Sequence, residues 1–92
     1  MNRYSLFETR GFVKDLETIN IPAAKGMLKK LHAFVYPSLR KEPHFGPNIK
    51  KLKGFHPDTW RYRIGDWRFF YEIYEKEKIV YLTAVHHRRE SY

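Results

Sequence analysis

The sequence predicts an α+β domain: an antiparallel β-sheet, built from a short N-terminal strand and a three-stranded C-terminal meander, with an α-hairpin packed on one face. Three observations point there. Between residues 59 and 86, apolar and polar side chains alternate in runs separated by turn signals. Between residues 9 and 35, apolar side chains recur with the period of a helix face. The 92-residue chain is also dense in large rings, with seven Tyr, seven Phe and two Trp. A chain this short buries only roughly 60–65% of its unfolded surface, so it needs such side chains to fill one core. Residues 1–92 are read as a single domain.

Residues 3–8 (Arg-Tyr-Ser-Leu-Phe-Glu) read as the first strand. From Thr9 the period changes: Phe12, Val13, Leu16 and Ile19 fall on one helix face. Thr9 is placed to cap that helix by accepting a hydrogen bond from a free backbone N–H. Asn20-Ile21-Pro22 interrupts the chain and restarts it, since Pro is tolerated in a first helical turn. Ala24, Met27, Leu28, Leu31, Phe34 and Val35 make a second apolar stripe, with Lys25, Lys29, Lys30 and His32 mostly opposite. Gly26 weakens this helix by about 1 kcal/mol relative to Ala. Pro37, Pro43, Gly46 and Pro47 mark residues 37–48 as loop. Ile49 to Gly54 fits either a short strand or a basic turn.

The meander is the clearest part. Trp60, Tyr62 and Ile64 alternate with Arg61 and Arg63, and Gly65-Asp66 suits a two-residue hairpin turn with Gly supplying a positive φ. An aromatic strand follows at 67–74, then a charged turn, Glu75-Lys76-Glu77-Lys78, and a last strand from Ile79. With two-residue turns at both hairpins, cross-strand partners share a face. Trp60, Tyr62, Ile64, Trp67, Phe69, Tyr71, Ile73, Val80, Leu82 and Ala84 then meet the helices. Arg61, Arg63, Arg68, Phe70, Glu72, Tyr74, Tyr81, Thr83 and Val85 line the other side.

That register sets Arg63 directly opposite Arg68. Like charges opposite each other destabilise a sheet. One reading is a phosphate-binding surface, because guanidinium forks match phosphate oxygens bidentately. The other is a solvated face on which Arg stems cover aromatics. A one-residue change in either turn rearranges these neighbours.

Eighteen Lys and Arg stand against ten Asp and Glu, a net charge of +8 with neutral His. Polyanions are therefore the default partners. The absence of Cys excludes disulfides and thiolate chemistry. No apolar run approaches the roughly 20 residues of a membrane span, and Met1-Asn2-Arg3 leads into a mixed polar segment without a signal pattern. The expectation is a soluble, cytoplasmic protein that does not engage a membrane. The tail, His86-His87-Arg88-Arg89-Glu90-Ser91-Tyr92, adds cations near the open end of the arginine face, or else is a frayed terminus. Its paired His lack carboxylate or Cys company, and His44 and His56 show no ligand spacing, so no metal site is expected.

The run Leu52-Lys53-Gly54, then Trp60-Arg61-Tyr62-Arg63-Ile64-Gly65-Asp66-Trp67-Arg68-Phe69-Phe70-Tyr71-Glu72-Ile73, resembles the core signature of RelE/ParE toxins. Ala84 to Tyr92 resembles that superfamily's final strand and tail, and the order of elements matches across nearly the whole chain. The resemblance implies a toxin of a type II toxin–antitoxin pair with a RelE-like fold. RelE-like members cut mRNA in the ribosomal A site, whereas ParE-like members share the fold and poison DNA gyrase. By resemblance, the cleavage residues fall on Arg61 or Arg63, on Arg68, and on Arg88 and Tyr92, with His87 at a position often occupied by His or Lys. The tail Tyr favours the RelE branch, a metal-independent endoribonuclease without cofactor. Two departures concern the base: Arg stands where Lys is expected, and Gly46 to Pro57 contains no Glu.

In the implied reaction the 2′-OH attacks the adjacent phosphorus. Arg68 with Arg63 stabilises the added charge, usually a large catalytic term. Arg88 or His87 protonates the leaving 5′-oxygen, His being the better acid near neutrality. Tyr92 orients the nucleophile or stacks on a base. Lys50, Lys51 and Lys53, with Arg61 and Arg63, hold the RNA backbone in a salt-dependent way. The expected partners are a cognate antitoxin, forming a hetero-oligomer, and mRNA on the ribosome. The alternatives are a gyrase poison, a non-catalytic RNA- or ribosome-binding module, and an inactive copy that still binds its antitoxin.

Overall fold

In a computed structural model, residues 3–19 and 24–87 of the chain are described. The elements run β1 (Ser5–Glu8), α1 (Arg10–Thr18), α2 (Ala24–Lys30), a π-helical turn (Leu31–Val35), α3 (Tyr36–Lys41), β2 (Ile49–Lys51), β3 (Trp60–Ile64), β4 (Trp67–Tyr74) and β5 (Ile79–His87). They build one sheet of order β1-β5-β4-β3-β2. The expected α+β class, N-terminal strand, meander and packed helical layer are all present. β1 joins parallel to β5 while the other pairings are antiparallel, so the sheet is mixed. The ambiguous segment after residue 48 resolves as strand: β2 pairs with β3 through Lys50 opposite Arg61.

One face of the sheet is core. Tyr62, Trp67, Phe69, Tyr71, Val80, Leu82 and Val85 are buried there, together with Phe12, Met27, Leu31, Val35, Tyr36 and Leu39 from the helices. The Tyr71 hydroxyl, deep in this layer, donates to the Pro43 carbonyl at 2.7 Å, and burial pushes that phenol well above its ordinary pKa. The Tyr36 hydroxyl donates to the Glu8 carboxylate, tying α3 to β1.

The chain stays helical to Lys41, past Pro37, where the sequence pattern predicts the start of a loop. Pro37 has no N–H to give to the fourth carbonyl back, and its ring crowds that carbonyl. The helix accommodates this by widening for one turn: the Tyr36 N–H bonds to the Leu31 carbonyl, five residues back. Widening rotates the next turn of helix. Tyr36 and Leu39 turn into the core, while Phe34, expected inside, is exposed; Leu28, also expected inside, is exposed in α2 ahead of the widened turn.

α1 begins where Thr9 caps it, with Thr9 Oγ1 accepting from the Phe12 N–H at 3.3 Å. The helix then runs beside the part of β5 that β1 does not reach. Asp15 Oδ2 accepts from the Val85 N–H at 2.9 Å, satisfying a group that would otherwise be an open sheet edge. Gly11 permits the approach, because a Cβ there would stand 3.2 Å from the Thr83 carbonyl oxygen. Among the described residues, no helix is long and apolar enough to cross a membrane.

Candidate nucleic-acid interface

The first hairpin forms as expected. Gly65 has φ +57° and Ile64 faces Trp67 across the turn. Arg63 therefore lies directly opposite Arg68, and Arg61 opposite Phe70. Lys50 extends the same row from β2. Arg61, Arg63, Arg68 and Lys50 thus share the sheet face turned away from the core.

The second hairpin departs from simple alternation. Tyr71 pairs with Leu82, but Phe70 pairs with Ala84, so Thr83 is an extra residue in β5. This β-bulge flips every side chain beyond it. Val85, expected on the arginine face, is buried in the core, and Ala84, expected inside, faces out beside Phe70. Thr83 holds the bulge by donating its hydroxyl to the Phe70 carbonyl at 3.3 Å.

The flip decides the fate of the two adjacent histidines. His86 stands opposite Arg68 and is exposed, its ring edge-on to Phe70 at 5.0 Å between centroids. His87 stands opposite Trp67 on the inner side, 7% exposed, with its ring 4.5 Å from the Trp67 ring. The sequence pattern alone puts His87 beside the arginines and gives His86 no role. Leu82-Thr83-Ala84 contains no Gly or Pro to announce a bulge. Arg88 and Tyr92 lie outside the described residues. Of the lysines grouped with them, only Lys50 shares the arginine face. Lys51 turns the other way, 3.2 Å from Asp58 and over the Trp60 ring, and Lys53 is exposed in the turn after β2.

The electrostatics of the arginine end of this face are one-signed. Among the described residues, no ion pair involves Arg61, Arg63 or Arg68. Arg63 Nε reaches only the Gly65 carbonyl, at 3.5 Å. Arg61 Nε is buried and has no hydrogen-bond partner among the described residues. Burial first, and then the charges of Arg63 and Arg68, pull the Arg61 guanidinium below its ordinary pKa. Leaving a buried donor unpaired costs about 1–3 kcal/mol, and a charged one more. An oxyanion laid across the row would relieve the like-charge crowding. Among the described residues, no group of three or more His, Asp or Glu side chains is arranged to hold a metal ion.

The family model of the ParE toxin of the type II toxin–antitoxin system parDE matches residues 7–92. The chain belongs to this toxin family. Solved structures agree with the fold of the toxin. The toxin–antitoxin complex RelBE2 from Mycobacterium tuberculosis aligns with a TM-score of 0.75 at 24% identity, over 94% of this chain and 99% of that one. The archaeal RelE–RelB complex from Pyrococcus horikoshii aligns with a TM-score of 0.64 at 25% identity, over 96% and 97%. A metal-bound toxin from Helicobacter pylori aligns with a TM-score of 0.67 at 24% identity, over 97% and 99%. Comparison with curated proteins gives no match. The resemblance read from the toxin's sequence and its membership of the wider RelE/ParE superfamily therefore agree.

Proposed function

We propose that the toxin cleaves single-stranded RNA, specifically translated message on the ribosome, with the arginine face as its phosphate site. The observation that carries this reading is the Arg63–Arg68 cross-strand pair with Arg61 on the same face, none of the three in an ion pair among the described residues. The 2′-oxygen bonds to phosphorus, the 2′-OH proton leaves to solvent, and the bond to the 5′-oxygen breaks. A 2′,3′-cyclic phosphate and a 5′-OH result. Arg68 and Arg63 take up the charge on the non-bridging oxygens, and Arg61 anchors the neighbouring phosphate. His86, which occupies the place that simple alternation assigns to His87, gives its proton to the leaving oxygen as the general acid. His87 packs against Trp67 behind the strand, and Arg88 and Tyr92, which follow in the chain, complete the tail's share of the site, with Tyr92 stacking on a base. Lys50, Lys51 and Lys53 supply longer-range attraction to the backbone. No metal ion or cofactor takes part.

The solved relatives from M. tuberculosis and P. horikoshii are toxin–antitoxin complexes. By the same reading this chain forms a hetero-oligomer with a cognate antitoxin, one with an acidic segment that covers the arginine face, in the cytoplasm where ribosomes are.

The family model favours a second reading, a ParE-type poison of DNA gyrase. One experiment separates the two. The toxin is induced briefly in cells, message 5′ ends are mapped, and an Arg68→Ala, His86→Ala double variant is run beside it. Cuts at fixed codon positions in translated messages, absent from the variant, support the ribonuclease. Intact messages accompanied by growth arrest and DNA damage transfer the assignment to gyrase.

A further inference from the structure

The outer sheet face has a second end, which the phosphate site does not use. Past Phe70, away from Arg68, the face carries Phe7, Tyr81 and Tyr74 from β1, β5 and β4. Their rings form an edge-to-face chain, Phe7 to Tyr81 at 5.4 Å and Tyr81 to Tyr74 at 4.9 Å between centroids. Cross-strand aromatic pairs stabilise sheets, yet this group stays open: Phe7 is 54% exposed and Tyr74 43%. Tyr81 and Tyr74, with Glu72, Thr83 and Thr9, line an open pocket of about 500 Å³.

The hydrogen-bonding character of that pocket is the reverse of the arginine end. Thr9 gives its hydroxyl proton to the Leu82 carbonyl at 2.8 Å, Thr83 gives its own to the Phe70 carbonyl at 3.3 Å, and Tyr74 donates to Glu72 Oε1 at 3.3 Å. What these three leave for a ligand is lone pairs, a carboxylate and the faces of aromatic rings, with the Tyr81 hydroxyl able to donate or accept. A phosphate is repelled there. An amino-bearing nucleobase is matched, because it stacks on a ring and offers N–H groups at its edge.

We propose that this end is a base-stacking subsite for the single-stranded RNA whose phosphates lie on the arginine end. The inference rests on the RNA reading above and adds a second contact to it. Arg68 and Glu72 sit on the same face of β4, about 13 Å apart at roughly 3.3 Å per residue, a span that a few linked nucleotides cover. Phe70 and the His86 ring lie between the two ends and keep the path aromatic. RNA alternates an anion with a flat, donor-bearing ring, which is the order of groups this face receives. An acidic protein segment would suit the arginines but meet Glu72 as a like charge.

The test measures binding of the purified full-length toxin to a short adenine-containing single-stranded RNA and to an abasic ribose-phosphate oligomer of the same length, across a salt series. Wild type should prefer the RNA by about tenfold or more for each stacked base. Tyr81→Leu keeps apolar bulk but removes the ring, and should lose most of that preference while keeping the salt slope. Tyr81→Trp should restore the preference, which a variant that had merely misfolded would not do. Arg68→Ala should weaken both ligands and flatten the salt slope, leaving the preference for bases. If Tyr81→Leu binds both ligands as wild type does, the subsite is overturned even if message cutting in cells still depends on Arg68. If base preference is present and lost in Tyr81→Leu but no cutting occurs in cells, the subsite stands and only the nuclease reading falls. If Tyr81→Leu loses only the neutralising grip of an acidic protein partner, the face is a protein-docking surface and the proposal is overturned.

Discussion

His86 and His87 are neighbours in the chain, yet one lies on the cationic face of the sheet and the other against the core. The two faces differ in what they satisfy. On the inner face Phe69, Tyr71, Val80 and Leu82 are fully buried, and the Tyr71 hydroxyl has its acceptor. At one end of the outer face three guanidiniums stand together with no ion pair among the described residues, and there the Arg61 Nε has no hydrogen-bond partner. The same strands thus divide their labour by parity: one set of alternate positions supplies the burial that holds the fold, and the other holds charge in an arrangement that folding alone does not reward. A single extra residue, Thr83, decides which histidine joins which set.

The sharpest way to break this contrast is to truncate one residue from each face. Phe69→Ala should cost about 3–5 kcal/mol, a large fraction of the roughly 5–15 kcal/mol available to a small domain. Arg68→Ala should change stability by less than about 1 kcal/mol, because lost stem packing is offset by relief of the Arg63 repulsion, while RNA cutting is lost. Urea unfolding midpoints for the two variants give the comparison directly. A loss for Arg68→Ala as large as that for Phe69→Ala would make the arginine a structural residue and remove the distinction between faces.

The sequence is legible where one local rule acts alone. Gly65-Asp66 requires a tight hairpin and forms one, so the Arg63–Arg68 juxtaposition comes from counting residues. Thr9 has the capping chemistry and caps α1. Legibility fails where a tertiary contact overrides the local pattern. Pro37 reads as a stop, but the packing of Tyr36 and Leu39 favours continuing the helix through a widened turn. The bulge at Thr83 sits where β5 meets β4 on one side and Thr9, Gly11 and Asp15 on its other edge. Nothing in Leu82-Thr83-Ala84 encodes those partners. The fold and the arginine row are therefore readable, while the placement of His86 requires the edge contacts of α1.

A smaller effect sharpens the inner half of the comparison. Tyr71→Phe removes only the hydroxyl that binds the Pro43 carbonyl at 2.7 Å. The buried carbonyl loses its donor, and stability should fall by about 1–3 kcal/mol. RNA cutting should be unchanged, because the hydroxyl points away from the arginine face. Chemical denaturation together with message mapping checks both halves, and lost cutting at retained stability would show the faces to be coupled through β4.

The smallest effect concerns the staple that holds the loop after α3 to the β4–β5 turn. His44 Nδ1 lies 2.9 Å from Glu42 and Nε2 3.0 Å from Glu75, and Glu75 also accepts from the Tyr4 hydroxyl and from Lys78, each at 2.6 Å. Hydrogen bonds from Lys78 and then Tyr4 hold the Glu75 carboxyl below its ordinary pKa, and the backbone and ring of His44 do the same for Glu42. A carboxyl whose pKa is lower in the folded state stabilises the fold above its unfolded value and loses that contribution as pH falls through the folded value. Stability should therefore decline as pH drops below the ordinary carboxyl value of 4.5, and Glu75→Gln should flatten that decline slightly, since the group is solvent-exposed and screened. Unfolding midpoints across this range provide the measurement. Arg68→Ala should leave the acid limb unchanged, because its guanidinium lies on the other face from His44 and Glu75. An acid limb that moved with Arg68 instead would mean that outer-face charge repulsion, rather than this staple, governs how the toxin responds to acid.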